Sequence, residues 1–488
     1  MKIFTILVLV ICNWAIYADS LEAQKRKYDD QGRLIKEEFP NGKSIEISYD
    51  KLNRVVEISL EESGSISYED IDTNLLHLSR ISPNGKILYT HSYEYNHKGG
   101  LLCENMISNL GQISYQRKLN EELLYIESPY SQEVCKFDSE GLITSHFVNG
   151  KMFENCCDEM HELNLDNEIE KSMLVEYDLN GNLTKKISSC GRFYFEFDHY
   201  GNLVEAITSK GKVNYFYDEF GRRIAKKIQH QEREETETYL YFGNNEIAIY
   251  NENGSLKQLR IPGLSFNDNF ILPVAIETEE TVYATIHDCR GNLSTLIDIG
   301  NREIIAIPAI DPFGQNLKNI TSLTPWIFAT KHYDEETNLV YFGSRYYDPE
   351  LKQWITPDPF GIHQHPNVYL YCLGNPVSYF DPDGKFAFVI PLVNFAWGAG
   401  AVLTFPAWGA AAAVTATGAA VGWATYEVVQ KVKAGKQRDG TPKTNTAQNN
   451  QFSDAVKQIE KKLERKYPIS NGTNFTTEYQ DKTTDIIK

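Results

Sequence analysis

Apolar and polar residues alternate along short stretches of this chain, and similar stretches return at a fixed spacing. Residues 193–197 read Phe-Tyr-Phe-Glu-Phe, and residues 213–217 read Val-Asn-Tyr-Phe-Tyr. A period of two is typical of a β-strand that buries one of its faces. The pattern therefore predicts a chain built mostly from β-strands.

The strand-like stretches end in a recurring turn sequence, D-x-x-G. Three copies follow one another at a spacing of 20 residues: Asp178 with Gly181, Asp198 with Gly201, and Asp218 with Gly221. An Asp side chain can bond its own backbone two residues on, and Gly tolerates positive φ, so this sequence closes a turn. Each 20-residue unit is expected to hold one β-hairpin. Looser copies begin at Tyr28, Tyr49 and Phe137.

A hairpin cannot bury its apolar face alone, so successive hairpins must pair into a larger sheet. The repeats predict such a sheet over residues 19–285. Because strands twist, a sheet of this length must coil, either closing on itself or wrapping around something.

Longer motifs lie downstream of the repeats. They include His287-Asp288-Cys-Arg-Gly291, Asp311-Pro-Phe-Gly314, Tyr341-Phe-Gly-Ser-Arg345-Tyr-Tyr-Asp348-Pro349 and Asn367-Val-Tyr369-Leu-Tyr371. With the Y-D-x-x-G units, these motifs resemble the Rhs/YD-repeat family, which includes polymorphic toxins, insecticidal toxin-complex components and the teneurin YD shell. The resemblance implies an RHS-associated core over residues 286–385. It also implies that the β-hairpins form a hollow or half shell around the C-terminal part of the same chain.

Two D-P-x-G boxes, at Asp358–Gly361 and Asp381–Gly384, follow Arg345 in this core. Taken alone, each box is a turn sequence, because Pro fixes φ and Gly permits positive φ. If folding brings Asp358 and Asp381 together, the two carboxyls cannot both ionise, and such a pair can activate a water against a peptide carbonyl. Arg345 would then fix one carboxylate or stabilise charge on the carbonyl oxygen.

The resemblance assigns a reaction to these three side chains. In the family, an Arg and two Asp at these motif positions carry out a single self-cleavage, so the chain would act once, as an intramolecular aspartic autoprotease. The cut is expected just beyond Gly384, at the Lys385–Phe386 bond. Lys385 departs from the apolar residue that the family usually has there, so the cut could shift by one residue or be slow.

The two ends of the chain differ from the repeats. Residues 1–18 begin with one Lys and an apolar run, which is typical of a secretory signal peptide, with a membrane anchor as the alternative. Residues 386–426 carry no charge, and Pro406 divides them into two stretches long enough to span a bilayer as helices. A hydrophobic helical hairpin is expected over 386–430, either inserted in a membrane or packed as an apolar plug. A polar linker and an amphipathic helix are expected over 431–488.

Charge and cysteine usage exclude some functions. The formal net charge of −18 gives the shell no electrostatic reason to bind nucleic acid. The cysteines are scattered, and the segment from Cys156 to His161 lacks the paired spacing of a zinc site. Neither a disulfide framework, a metal site nor a cofactor is predicted.

These observations support two functions. The first is a secreted YD-shell protein of the polymorphic-toxin type, which cleaves itself near Lys385–Phe386 and frees its C-terminal segment as cargo. A second shell-forming chain would be required if these hairpins are too few to enclose a cavity. The alternative is a non-enzymatic cell-surface protein, whose YD shell binds carbohydrate or another cell while residues 386–426 anchor it in the membrane.

Overall fold

The computed structural model describes most of the chain between Lys25 and Val389. The described residues are 25–71, 74–97, 99–118, 123–138, 142–154, 173–230, 233–267, 270–306, 308, 310–315, 323–361 and 365–389. Regular structure in these ranges is antiparallel β-sheet with short 3₁₀ turns, among them Ile107–Asn109 and Tyr371–Gly374. The prediction of a mostly β fold is confirmed.

Sheet 1 has 13 strands, and each strand pairs with the next one along the chain. The strands are β1 (Lys25–Tyr28), β2 (Leu34–Glu38), β3 (Ser44–Tyr49), β4 (Val55–Leu60), β5 (Gly64–Ile71), β6 (Asn74–Ile81), β7 (Ile87–Tyr95), β8 (Leu101–Asn105), β9 (Gln112–Lys118), β10 (Leu123–Glu127), β11 (Gln132–Phe137), β12 (Ile143–Val148) and β13 (Lys151–Glu154).

Sheet 2 repeats this arrangement with another 13 strands in chain order. The strands are β14 (Leu174–Tyr177), β15 (Leu183–Ser188), β16 (Gly191–Phe197), β17 (Leu203–Thr208), β18 (Gly211–Tyr217), β19 (Arg223–Gln229), β20 (Glu234–Phe242), β21 (Asn245–Tyr250), β22 (Leu256–Asn267), β23 (Phe270–Thr278), β24 (Val282–His287), β25 (Leu293–Asp298) and β26 (Glu303–Ala306).

Two smaller sheets complete the described chain. Sheet 3 has five short strands: β27 (Trp326–Phe328), β28 (Lys331–Asp334), β29 (Leu339–Tyr341), β30 (Tyr346–Asp348) and β31 (Gln353–Trp354). The last pair consists of β32 (Tyr379–Phe380) and β33 (Phe388–Val389).

The 20-residue units are β-hairpins closed by the predicted turn. In one copy the Asp198 carboxylate accepts the amide hydrogens of Tyr200 at 2.8 Å and Asn202 at 2.9 Å, and Gly201 has a φ of +85°. The bond to Tyr200 is the expected contact two residues on. The bond to Asn202 was not predicted, and together the two hydrogen bonds fix both sides of the turn. A register shift between Glu196 and Phe197 adds a β-bulge just before it.

Sheets 1 and 2 pack against each other through a shared apolar core and a few polar contacts. Ile45, Ile58 and Ile66 of sheet 1 are fully buried in the same cluster as residues of sheet 2. The Arg80 guanidinium donates two hydrogen bonds, at 2.9 and 3.0 Å, to the Glu277 carboxylate of β23. The two sheets are therefore joined by contacts between residues far apart in the chain. Arg80 and Glu277, for example, are 197 positions apart.

Sheet 3 packs against the first half of sheet 2. A second apolar cluster contains residues of β15–β19 together with Leu339, Tyr341, Tyr346 and Ile355. Buried ion pairs support this contact: the Lys186 ammonium lies 2.5 Å from the Asp348 carboxylate, and both side chains are fully buried. This packing sets the position of β30 and of the residue that precedes it, Arg345.

Two elements of the structure cross limits that were expected from the sequence. Sheet 2 continues across the limit expected between 285 and 286, which falls inside β24. The helical hairpin was expected to begin at 386, but Phe388–Val389 forms β33 and pairs with β32. This pairing satisfies the backbone groups of β32, which an adjacent helix could not do.

The other segments proposed from the sequence lie outside the described residues. They are the signal peptide over 1–18, the remainder of the apolar segment from 390 to 430, and the polar tail over 431–488. Within the described ranges, no helix has the length and apolarity that crossing a bilayer requires.

Two equivalent glycines offer a matched test of the repeat packing. Gly181 and Gly201 occupy the same turn position with φ of +82° and +85°, but only at Gly181 would an added Cβ meet neighbours, 2.6 Å from Tyr369 and 2.9 Å from Pro357. Both Gly→Ala changes should cost about 1–2 kcal/mol for the backbone conformation. Gly181→Ala should cost about 1–3 kcal/mol more, through overpacking. Urea unfolding measures both, and equal losses would contradict the docking of this turn beside Asp358.

Candidate active site

Three neighbouring elements position Arg345, Asp358 and Asp381. Arg345 lies between β29 and β30, in a turn that its carbonyl closes by accepting the Phe342 amide at 3.0 Å. Asp358 follows β31, and its amide donates to the Val368 carbonyl at 2.9 Å. Asp381 follows β32, and the pairing of β32 with β33 closes residues 381–387 into a loop. Arg345 and Asp381 therefore adjoin the ends of strands, whereas Asp358 lies four positions beyond β31.

The structure brings the three side chains together. The Arg345 Nη2 atom lies 3.1 Å from Asp358 Oδ2 and 3.6 Å from Asp381 Oδ2. The two carboxylates thus face the same guanidinium nitrogen, although they are separated by 23 positions in the chain. The catalytic interpretation of the D-P-x-G motifs requires this convergence, and the catalytic role of the three residues stays a prediction.

The rest of the Arg345 guanidinium contacts the loop and an aromatic ring. Its Nε donates a hydrogen bond to the carbonyl oxygen of Gly384. Its Cζ lies 4.2 Å from the centroid of the Trp354 ring, a cation–π arrangement that fixes the plane of the guanidinium. The side chain is 4% exposed. Sequence reasoning missed Trp354, because nothing in its spacing from Arg345 signals the contact.

Asp381 organises the backbone around the expected cut. Its Oδ1 accepts the amide hydrogens of Gly384 at 2.8 Å, Lys385 at 3.1 Å, and Asp383 and Phe386 at 3.3 Å each. One carboxylate oxygen therefore contacts the nitrogen atoms of both bonds considered for cleavage. Its other oxygen, Oδ2, faces Arg345.

Gly384 is required at its position by two constraints. It has a φ of +75°, and an added Cβ would lie 3.1 Å from the Arg345 amide nitrogen and 3.2 Å from Phe342 Cβ. A side chain at this position would be strained by the positive φ and would require the backbone around Arg345 to move by a few tenths of an ångström. On the other side of the cut, the Phe386 ring packs edge-on against Phe360, with centroids 6.2 Å apart.

Burial changes the acidity of the two carboxyls. Burial, reinforced by the nearby charge of Asp383, raises the pKa of Asp381 to about 7, against the opposing effect of Arg345. Burial also raises the pKa of Asp358, which Arg345 and the Phe360 amide partly offset. Asp381 therefore has a pKa close to neutral pH, and it lies beside Asp358, which is paired with the Arg345 cation. Sites that use one carboxyl as acid and the other as base have this arrangement.

A small cavity opens beside these groups. Arg345, Asp358 and Asp381 line it together with His365 and Cys372, and its volume is about 10 Å³. A single ordered water requires roughly this much room. A water in this cavity would lie beside Arg345, Asp358 and Asp381, the groups proposed to take part in hydrolysis.

The contacts suit two adjacent peptide bonds to different degrees. At Gly384–Lys385, the carbonyl accepts from Arg345 and the nitrogen contacts Asp381. At Lys385–Phe386, which the family resemblance favours, the nitrogen contacts Asp381 and the preceding carbonyl is the one held by Arg345. The chemistry available in both cases is water attack on a carbonyl, with one carboxyl as base and the other as acid.

Comparison with known proteins gives a match that includes part of this site. Residues 165–367 match the family model "Teneurin YD-shell". Over these residues the chain is similar to the teneurin YD shell, in agreement with the resemblance that its motifs carry. The matched segment contains sheet 2, sheet 3, Arg345 and Asp358, whereas Asp381 and the loop lie beyond it.

Curated relatives share short segments with this chain. Salivary gland surface protein 1 of Aedes aegypti is 30% identical over 115 residues, which are 23% of this chain and 3% of the relative. Toxin protein Tse5 of Pseudomonas aeruginosa is 41% identical over 69 residues, 14% of this chain and 5% of the relative. The chain therefore corresponds to a small part of each relative's length.

Solved structures are also matched over a small part of their own length. The crystal structure of TcdB2-TccC3 without its hypervariable C-terminal region has 16% identity and a TM-score of 0.35, covering 74% of this chain and 21% of the other.

Proposed function

We propose that this chain hydrolyses its own backbone once, at Gly384–Lys385 or Lys385–Phe386. The observation that carries the proposal is the convergence of one buried carboxyl, Asp381, one partly buried carboxyl, Asp358, and the buried Arg345 guanidinium on a single loop. Burying charge is costly unless it is paired, and two carboxyls here face the single cation of Arg345. A loop with only a structural role does not need this arrangement.

Each of the three side chains has a distinct task. Asp358, paired with Arg345, takes a proton from the attacking water. The water oxygen bonds to the carbonyl carbon, the carbon–nitrogen bond breaks, and the leaving nitrogen takes the proton held by Asp381. Arg345 stabilises the negative charge on the carbonyl oxygen if the bond is Gly384–Lys385. If the bond is Lys385–Phe386, Arg345 anchors the preceding carbonyl and holds the loop in place.

The loop supplies the positioning that such a reaction requires. The β32–β33 pair holds both ends of the loop, and the hydrogen bonds to Asp381 fix its amides. Because the reacting groups belong to one chain, their effective concentration is high. Each chain contains one substrate bond and therefore reacts once.

We infer that the cleavage frees residues that follow the cut as the cargo of a secreted shell protein of the polymorphic-toxin type. The resemblance to toxins such as Tse5 supports this assignment, and the apolar character of 386–426 suits a segment sequestered from water before release. Sheets 1 and 2 would form the wall around it, alone or with a second chain. An uncut chain found with membranes would instead support the cell-surface function.

Self-cleavage should depend on pH in a defined direction. Purified chain is expected to give two fragments on a denaturing gel, and the rate should fall as the pH rises above about 7, because Asp381 then loses the proton that the leaving nitrogen needs. At acid pH the rate should fall again, since Asp358 becomes protonated and can no longer act as base. A gel time course across this range measures both limbs. Cleavage that increases steadily into alkaline pH would contradict the assignment.

A further inference from the structure

Four side chains with metal-ligand chemistry meet between sheets 1 and 2, away from the candidate active site. Glu133 and Cys135 lie two positions apart on β11, so both point to the same face. His146 lies on β12 directly opposite Cys135 in the strand register. Cys289 comes from sheet 2, in the turn that follows β24. All four residues are at least nine-tenths buried.

The separations of the four ligand atoms are close to those around a tetrahedral zinc ion. One ligand atom from each residue lies within 4.8 Å of all the others. The sulfur atoms of Cys135 and Cys289 are 3.8 Å apart, and zinc bound by two sulfurs at about 2.3 Å separates them by about 3.8 Å. The Cys289 sulfur lies 3.8 Å from His146 Nε2, and the Cys135 sulfur 3.6 Å from Glu133 Oε1.

One separation is shorter than a zinc site requires. His146 Nε2 and Glu133 Oε1 are 2.7 Å apart, as a hydrogen-bonded pair. Two tetrahedral ligands at about 2.0 Å from zinc lie roughly 3.3 Å apart, so the two side chains would separate by about half an ångström when the metal replaces the shared proton. A rotation of the Glu133 side chain is sufficient for this adjustment.

The orientation of the side chains indicates one common point. Among the described residues, His146 Nδ1 is buried without a hydrogen-bond partner, so the nitrogen that makes contacts is Nε2, which faces the other three ligands. The backbone amide of Cys289 donates to Glu133 Oε1 at 2.9 Å and fixes that carboxylate between the sheets. The cluster is therefore built by both sheets.

We propose that Glu133, Cys135, His146 and Cys289 bind one zinc ion that joins sheet 1 to sheet 2. Two sulfurs, an imidazole nitrogen and one carboxylate form a donor set that suits Zn²⁺ better than Mg²⁺ or Ca²⁺, which prefer oxygen. With two thiolates and a carboxylate the site carries one net negative charge. Arg290, next to Cys289 and electrostatically coupled to it and to Glu133, offsets that charge.

The site is of the structural type. Four protein ligands close the coordination shell, which leaves no open position for a substrate. Because three ligands come from one sheet and the fourth is 143 positions further along the chain than His146, the ion would bind only when the sheets are packed together. Zinc would therefore stabilise the contact between the two sheets.

The direct test is cobalt binding to the purified full chain after treatment with a chelator. One Co²⁺ per chain should bind and produce the intense thiolate charge-transfer absorption and the visible bands of a tetrahedral site. Cys135→Ser on sheet 1 and Cys289→Ser on sheet 2 should each remove these bands. Zn²⁺ should displace the Co²⁺ and raise the unfolding temperature of the wild-type chain.

Cys103→Ser is the matched control, because Cys103 is also a buried thiol of sheet 1 but lies outside the cluster. It should bind Co²⁺ as the wild-type chain does. Failure of the wild-type chain to take up Co²⁺ or Zn²⁺ would overturn the proposal, and this result does not depend on whether a variant folds. An intact mass that shows a Cys135–Cys289 disulfide, or bands that survive Cys289→Ser, would overturn it as well.

Discussion

Replacing Asp381 with Asn is expected to leave the chain as a single uncut polypeptide. Loss of a general acid typically slows a reaction by about a hundredfold to ten-thousandfold, so cleavage that is complete in the wild-type chain should be barely detectable in the variant. Asn keeps the oxygen that accepts the four loop amides, so the loop should stay closed. The measurement is a denaturing-gel time course of the two purified proteins.

The neighbouring acid provides the control. Asp383 lies in the same loop, and its carboxylate contacts the Lys385 ammonium at 3.4 Å, whereas Asp358 and Asp381 lie 3.1 and 3.6 Å from Arg345 Nη2. Asp383→Asn should still cut. Because the charge of Asp383 raises the pKa of Asp381, the variant should lose activity at a lower pH than the wild type. Equal loss in both variants would argue for a general disturbance of the loop and against a role for Asp381.

Replacing Lys186 with Met is expected to destabilise the chain by about 3–5 kcal/mol, because it leaves a buried carboxylate without its partner. Lys186 contacts Asp348 at 2.5 Å and Glu350 at 2.9 Å, and Asp348 is fully buried. The contact with Asp348 joins sheet 2 to β30, and Asp348 lies three positions after Arg345 in the chain. Denaturant unfolding followed by circular dichroism measures the change in stability.

The adjacent residue of the same strand is the matched control. Lys185 pairs with Glu176 at 2.6 Å, but both side chains are partly exposed. Exposed ion pairs are worth up to about 1 kcal/mol, so Lys185→Met should have little effect. Comparable losses in the two variants would show that the buried pair does not hold sheet 3 against sheet 2.

The repeat architecture could be predicted from the sequence because its causes are local. The alternation in 193–197 and the Asp198–Gly201 turn are fixed by residues within one 20-residue unit, and the structure confirms both. Sheet 1 also consists of strands paired in chain order, although its repeats are looser. Each strand needs only its chain neighbour as a partner, so strand order follows from the sequence.

The details of the sites could not be predicted because they depend on residues far apart in the chain. The motifs suggested Arg345, Asp358 and Asp381, but no spacing rule shows that Trp354 supports the guanidinium or that Arg345 contacts the Gly384 carbonyl. The cluster around His146 was missed for the same reason. Three of its residues lie on strands of sheet 1 and the fourth lies in a turn of sheet 2, and only the packing of the sheets brings them together.

Intact-mass analysis of the purified wild-type chain distinguishes a cut polypeptide from an intact one and locates the cut. Self-cleavage by Asp358 and Asp381 should give two species whose boundary lies at Gly384–Lys385 or Lys385–Phe386. The difference of one Lys residue between these outcomes decides whether Arg345 acts on the scissile carbonyl or anchors the preceding one. A single species that extends through both bonds after prolonged incubation near neutral pH would contradict self-cleavage by Asp358 and Asp381, and so would a break at any other bond within residues 25–389.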